Sequence, residues 1–136
     1  MLFGSVALTV GLFLPGCGES GPTMGRVSGK VTYNGKPVAK GTVSFVSTEP
    51  ARPNANSPIG PDGSYSLQTT NPNDGAVVGD YTVAVSGKDP NAVNNDLPGA
   101  PVKVTSDIPA KFEDPAKSGL KATVKSGSND IPIDLK

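Results

Sequence analysis

Glycine and proline interrupt this chain so often that it cannot build a long helix. Gly 17 and Pro 14 are spread through 136 residues. Proline removes a helical hydrogen bond and clashes with the preceding turn, and glycine is the next poorest helix former. Between these breaks the apolar residues recur at every second position, the period of a half-buried strand. Arg26–Tyr33 places Val27, Val31 and Tyr33 on one face and Ser28, Lys30 and Thr32 on the other. Gly41–Ser47 points Val43 and Phe45 inward, with Thr42, Ser44 and Val46 outward. Ser64–Thr69 directs Tyr65 and Leu67 inward, and Asp80–Ser86 aligns Tyr81, Val83 and Val85. A short edge strand is expected at 102–105. Leu120–Lys125 alternates through Leu120, Ala122 and Val124, and 129–135 through Ile131, Ile133 and Leu135. Pro132 has no N–H to donate, which suits a sheet edge.

The connections carry turn chemistry. Asn34-Gly35 supplies a positive-φ hairpin turn, and Asp62-Gly63 supplies another. Residues 48–58 contain three Pro and two Asn and read as a loop, 70–79 as a turn-rich connection, and 88–101 as a long polar loop. Ile108 and Phe112 are expected to drop onto the core from an irregular segment, and 114–119 to form one helical turn closed by Gly119. Six or seven short strands with polar turns imply an all-β fold, an antiparallel β-sandwich.

The first 16 residues stand apart. They contain no charged residue, and their apolar run falls short of the ~20 residues that span a bilayer. An apolar segment ending in small residues has the pattern of a secretory signal. The one cysteine of the chain, Cys17, lies directly after Gly16, with Leu14 two residues before that. Leu14-Pro15-Gly16-Cys17 resembles the lipobox of bacterial lipoproteins, although Pro15 stands where Ser or Ala is commoner and no basic residue precedes the apolar run. The resemblance implies cleavage between Gly16 and Cys17, a diacylglycerol on the Cys17 thiol, and Cys17 as the acylated first residue. The expected organisation is a signal peptide at 1–16, a lipidated cysteine and flexible tether at 17–25, and a sandwich domain at 26–136. Residues 18–25 would reach about 27 Å when extended. Gly18 follows the cysteine in place of the Asp retention signal of some lipoproteins, which favours the outer membrane of the cell envelope.

Charge and composition narrow the function classes. Lys+Arg is 12 and Asp+Glu is 12, with mixed signs and no blocks. Nucleic-acid binders concentrate positive charge, so no nucleic-acid partner is expected. His is 0, which removes the usual general base and the commonest transition-metal ligand. No catalytic residue, metal or cofactor is expected. A lone cysteine makes no internal disulfide.

Three segments resemble carboxypeptidase regulatory-like domains. They are Val27-Ser28-Gly29-Lys30-Val31-Thr32-Tyr33-Asn34-Gly35-Lys36-Pro37-Val38, then Asp62-Gly63-Ser64-Tyr65-Ser66-Leu67, then Gly79-Asp80-Tyr81-Thr82-Val83-Ala84-Val85. Ile108-Pro109-Ala110-Lys111-Phe112 with Ser118-Gly119-Leu120 is similar to a segment of small transthyretin-like lipoproteins. The resemblance implies a seven-stranded, Greek-key, transthyretin- or prealbumin-like sandwich, and it implies no chemistry. Zinc and hydrolase sites on related proteins depend on histidines that this chain lacks.

Other constellations were weighed against simpler roles. Tyr81, after Gly79-Asp80, is placed to hydrogen-bond backbone as a tyrosine corner does. Lys30, Asn129 and Glu113 are the residue types of an isopeptide bond, but Lys30 falls on the polar face. The Asn- and Asp-rich stretches 71–75 and 91–96 offer oxygen ligands for calcium, yet they match turn chemistry better. Ser28 and Lys30 share a strand face without a marked pocket. The expected function is a membrane-anchored envelope lipoprotein whose non-catalytic sandwich serves a structural or protein-binding role through loops or an edge strand, with an envelope protein or polymer as the expected partner. The alternative is a binding module for a carbohydrate or other envelope polymer, which needs exposed aromatic or amide side chains on one rim.

Overall fold

A computed structural model describes Gly16, residues 21–92, Gly99 and residues 105–136. The leader up to Pro15, the lipidation and cleavage position Cys17, the tether to Ser20 and most of the strand expected at 102–105 lie outside the described residues. The fold is all-β, two sheets packed face to face. Its strands are β1 (Met24–Tyr33), β2 (Lys36–Pro37), β3 (Thr42–Ser47), β4 (Ala55–Pro58), β5 (Ser64–Ser66), β6 (Ala76–Val77), β7 (Gly79–Ser86), β8 (Leu120–Val124), β9 (Gly127–Asp130) and β10 (Ile133–Leu135).

The first, six-stranded sheet is organised around β1. Antiparallel β6, β5 and β2 lie along one edge of it, and β9 and β10 along the other. The second sheet has the order β4-β3-β7-β8 and is antiparallel throughout. Two details differ from the sequence expectation. Among the described residues the seven expected strands are ten segments, because short pieces such as β2 and β6 pair locally with β1. And β9 and β10 run parallel to β1, so the first sheet is mixed. The cause is the turn after β8: with Gly127 at φ +92°, the chain crosses to the other sheet and meets β1 running in its direction.

Alternation sets which side chains are inside. Val27, Val31, Val43, Phe45, Tyr65, Leu67, Tyr81, Val83, Val85, Val124, Ile133 and Leu135 form one buried cluster between the sheets. Phe45 is its centre, with ring centroids 6.3 Å from Tyr65 and 5.9 Å from Tyr81, in tilted geometries that aromatic quadrupoles favour. Ile108 and Phe112 join the cluster from the segment that contains one 3₁₀ turn, Ala110–Glu113. The helical turn expected at 114–119 is present as a single uncontinued turn: the Lys117 and Ser118 N–H groups both donate to the Asp114 carbonyl, at 3.0 and 2.8 Å. Gly119 follows at φ +70°.

Residues 55–58, within the expected loop, are strand β4. Its inward side chains are Ala55 and Ser57, too small and too polar to register as a hydrophobic alternation. β4 also ties the two sheets together. Asn56 and Gln68 exchange backbone hydrogen bonds at 3.0 and 2.9 Å, and the Ser57 hydroxyl accepts the Ser66 N–H at 3.0 Å.

Glycine is required where backbones approach closely. A Cβ on Gly75, at φ +85°, would lie 2.0 Å from the Gly25 carbonyl oxygen, whereas one on Gly35, at φ +81°, would meet open space. Both substitutions by alanine strain the backbone, but only one also displaces a strand. Gly75→Ala is expected to lower stability by about 2–4 kcal/mol and Gly35→Ala by about 1 kcal/mol, read from urea midpoints at unchanged m.

Candidate functional site

The residues singled out in the sequence fall into separate turns, and each is engaged in holding backbone. Asn34 (φ +49°) and Gly35 (φ +81°) make the two-residue turn from β1 to β2, in which both residues take positive φ. The Asn34 N–H also donates to the Leu135 carbonyl at 3.0 Å, fastening this turn to β10. Asp62 accepts the N–H and the hydroxyl of Ser64, at 3.1 and 2.5 Å. Those bonds, the hydroxyl first, hold its carboxyl below the ordinary value. Gly63 (φ +83°) accepts the Val31 N–H at 2.8 Å, which docks the hairpin onto β1.

Tyr81 and Gly79 meet Arg52, a residue of the expected loop 48–58. The buried Tyr81 hydroxyl donates to the Val77 carbonyl at 2.7 Å. Arg52, from the β3–β4 connection, lies with its guanidinium carbon 5.5 Å from the Tyr81 ring centroid. It ion-pairs Glu49 at 2.8 Å and donates to the Asp80 carbonyl at 3.0 Å. Its side chain is only 11% exposed. A Cβ on Gly79 would fall 2.2 Å from the guanidinium carbon, so Gly79 is the floor on which Arg52 rests. Burial raises the Tyr81 phenol pKa, and Arg52 acts in the opposite direction. The only sequence signal for this arrangement is the i, i+3 spacing of Glu49 and Arg52, inside a stretch dominated by proline.

Asp74 organises 71–75, the first of the two Asn- and Asp-rich stretches; most of the second, 91–96, lies outside the described residues. The Asp74 carboxylate accepts the N–H groups of Thr69, Thr70 and Asn71 at 2.6, 2.9 and 2.8 Å. Burial pulls its pKa upward, but the three donors together outweigh that and leave it lowered. These bonds engage both carboxylate oxygens of Asp74 in holding the turn.

The residue types of an isopeptide bond are not brought together. Lys30 is exposed on the outer face of the first sheet, and Glu113 pairs with Lys88 at 3.0 Å. The Asn129 side chain donates to the carbonyls of Lys125 and Arg26 at 2.8 and 3.0 Å, and accepts the Lys125 N–H at 3.0 Å. Ser28 and Lys30 line a broad, shallow concavity of about 570 Å³ with Ser64, Tyr65, Asp130 and Pro132. Tyr65 is itself buried. Its hydroxyl donates to the Ile131 carbonyl, and burial pushes its phenol far above the ordinary range. Among the described residues, every buried side-chain polar atom has a hydrogen-bond partner, and no three His, Cys, Asp or Glu residues converge as metal ligands do. This arrangement can hold loops and present strand edges and polar faces.

No family model matches the chain, and no curated protein matches it. Among solved structures, it is similar to the crystal structure of a DUF3823 family protein from Parabacteroides merdae, at 11% identity and a TM-score of 0.41. The likeness covers 85% of this chain and 47% of that one, so the chain spans about half the length of that protein.

Two measurements probe these contacts. Tyr81→Phe leaves the Val77 carbonyl without its donor and is expected to cost about 1–2 kcal/mol in chemical denaturation. A carboxyl whose folded pKa is lowered contributes stability above its ordinary value of 3.8, and loses that contribution as pH falls through the folded value. Asp74→Asn should therefore be less stable than the natural chain at neutral pH, with the gap in melting temperature closing as pH drops below about 4.

Proposed function

We propose that the chain is a membrane-anchored lipoprotein of the cell envelope whose transthyretin-like sandwich, of the carboxypeptidase regulatory-like kind, is a non-catalytic scaffold for protein contacts. The observation that carries the reading is the placement of the one cysteine. Cys17 ends an uncharged apolar leader, directly after Gly16, a few residues before the first strand begins at Met24. One acyl chain anchors marginally, and two or more hold a protein stably on a membrane. Gly18 after the cysteine supports transfer to the outer membrane.

The inward orientation of the sandwich's aromatic rings supports protein contact over carbohydrate binding. Phe45, Tyr65, Tyr81 and Phe112 are buried and Tyr33 is partly buried against the core, so among the described residues no cluster of exposed rings offers a platform for a sugar. The absence of His and the structural engagement of Asp62, Asp74 and Tyr81 support a non-catalytic role.

Lipidation is tested directly in cells. Growth with an alkyne-bearing palmitate analogue should label the natural chain and leave Cys17→Ser unlabelled. The variant should leave the membrane fraction, and a signal-peptidase II inhibitor should cause the uncleaved precursor to accumulate. An unlabelled natural chain in the soluble fraction would overturn the reading.

A further inference from the structure

We infer that β8 is a docking edge for an extended partner polypeptide that alternates apolar and acidic residues, and that this strand addition is the protein contact of the sandwich. The inference rests on the protein-binding reading above.

The direction of the unpaired backbone groups on β8 follows from two independent contacts. In an antiparallel sheet, successive residues of a strand aim their N–H and C=O groups at opposite neighbours. The Asp80 carbonyl accepts the Thr48 N–H, so Asp80 faces β3, and Gly79, Tyr81 and Val83 face β8. By register these pair with Val124, Ala122 and Leu120. Lys121 and Thr123, opposite Thr82 and Asp80, therefore aim their backbone groups away from the sheet. The second contact agrees. Lys125, of the same parity, has both its N–H and its C=O engaged by the Asn129 amide, at 3.0 and 2.8 Å. Asn129 thus occupies the position that an added strand would take, and stops one step before Thr123. The edge receives amides in this geometry already.

The other edges are less open. β4 is bound to Gln68 through Asn56, the β9–β10 edge is broken at Pro132, which has no N–H, and the side formed by β6, β5 and β2 is made of pieces of two or three residues. Among the described residues, β8 is the longest edge strand free of either obstacle.

Its side chains define the occupant. Leu120 and Ala122 point inward and are only partly buried, against the core. Apolar residues of an added strand would complete their cover. Lys121, Thr123 and Lys125 point outward and are exposed, and among the described residues no ion pair involves either lysine. Lysines on an edge repel like-charged strands and disfavour self-pairing. A two-fold pairing of β8 with a second copy would set lysines near lysines, which is destabilising. Carboxylates on the outward positions of a partner strand reverse that term. Main-chain bonds then supply affinity and alternate side chains supply selectivity, as in other strand-addition complexes.

The probe is the capped peptide Thr-Val-Asp-Val-Asp-Val-Thr, compared with its counterpart carrying Lys for Asp, on the purified full-length lipidated chain in detergent. The acidic peptide should bind and slow hydrogen exchange at the amides of Lys121 and Thr123. Lys121→Glu combined with Lys125→Glu should weaken it at least ten-fold and favour the lysine peptide. Thr123→Pro, which removes an N–H that no strand among the described residues uses, should abolish binding. Equal binding of both peptides, no protection at those two amides, unchanged binding to Thr123→Pro, or self-association through β8 without peptide would each overturn the inference. Cys17→Ser, in the same assay, should bind the peptide unchanged. A failure of lipidation is thus read separately from a failure of the edge.

Discussion

β1 has hydrogen-bonded neighbours along both of its edges, and the rest of the sandwich is arranged around that condition. Antiparallel segments β6, β5 and β2 follow one another down one side, and β9 and β10 line the other. Such crowding requires gaps in the side-chain row. Gly25 and Gly29 provide them on the inward face. A Cβ on Gly25 would lie 2.1 Å from the Lys125 carbonyl oxygen, and one on Gly29 2.3 Å from that of Ile131. The inward row of β1 is thus a wall of Val27 and Val31 with openings through which neighbouring backbone and the Tyr65 ring approach. Any side chain in those openings would push away the strands that satisfy the β1 backbone.

Polar chemistry in the body of the sandwich serves the same end. The Ser118 hydroxyl donates to the Val83 carbonyl at 2.6 Å and also accepts the Leu120 N–H at 3.2 Å, so one buried oxygen fixes the entry to β8. Asp74 gathers three successive amides, and Arg52 binds a loop to the start of β7 through a ring, a carboxylate and a carbonyl. Loops rich in proline and asparagine are held in this way by side chains of the chain itself.

What was legible in the sequence was whatever depends on local rules. The period-two alternation of Val27 to Tyr33 and of Tyr81 to Val85 located the long strands, and Asn34-Gly35 and Asp62-Gly63 located two turns, because positive φ is a property of one or two residues. Strand β4 was not legible, since its buried face is Ala55 and Ser57 and its pairing is decided by distant Phe45 and Gln68. The seat of Arg52 on Gly79 was not legible either, because it joins residues from different sheet connections. The direction of β9 and β10 depends on which sheet the chain enters after Gly127, a tertiary choice that the alternation of Ile131, Ile133 and Leu135 leaves open. The unpaired groups of β8 likewise become definite only once the register with β7 is known.

The parallel contact between β1 and the β9–β10 segment has a mechanical consequence. β1 begins where the amino-terminal segment enters the sandwich, and β10 ends at the opposite pole beside Tyr33. Tension applied between the two ends would draw these neighbours along each other in opposite directions. The ladder from Gly25–Gly127 to Tyr33–Leu135 would then be loaded in shear, many bonds at a time, where an antiparallel pairing of the same ends would open like a zip, one bond after another.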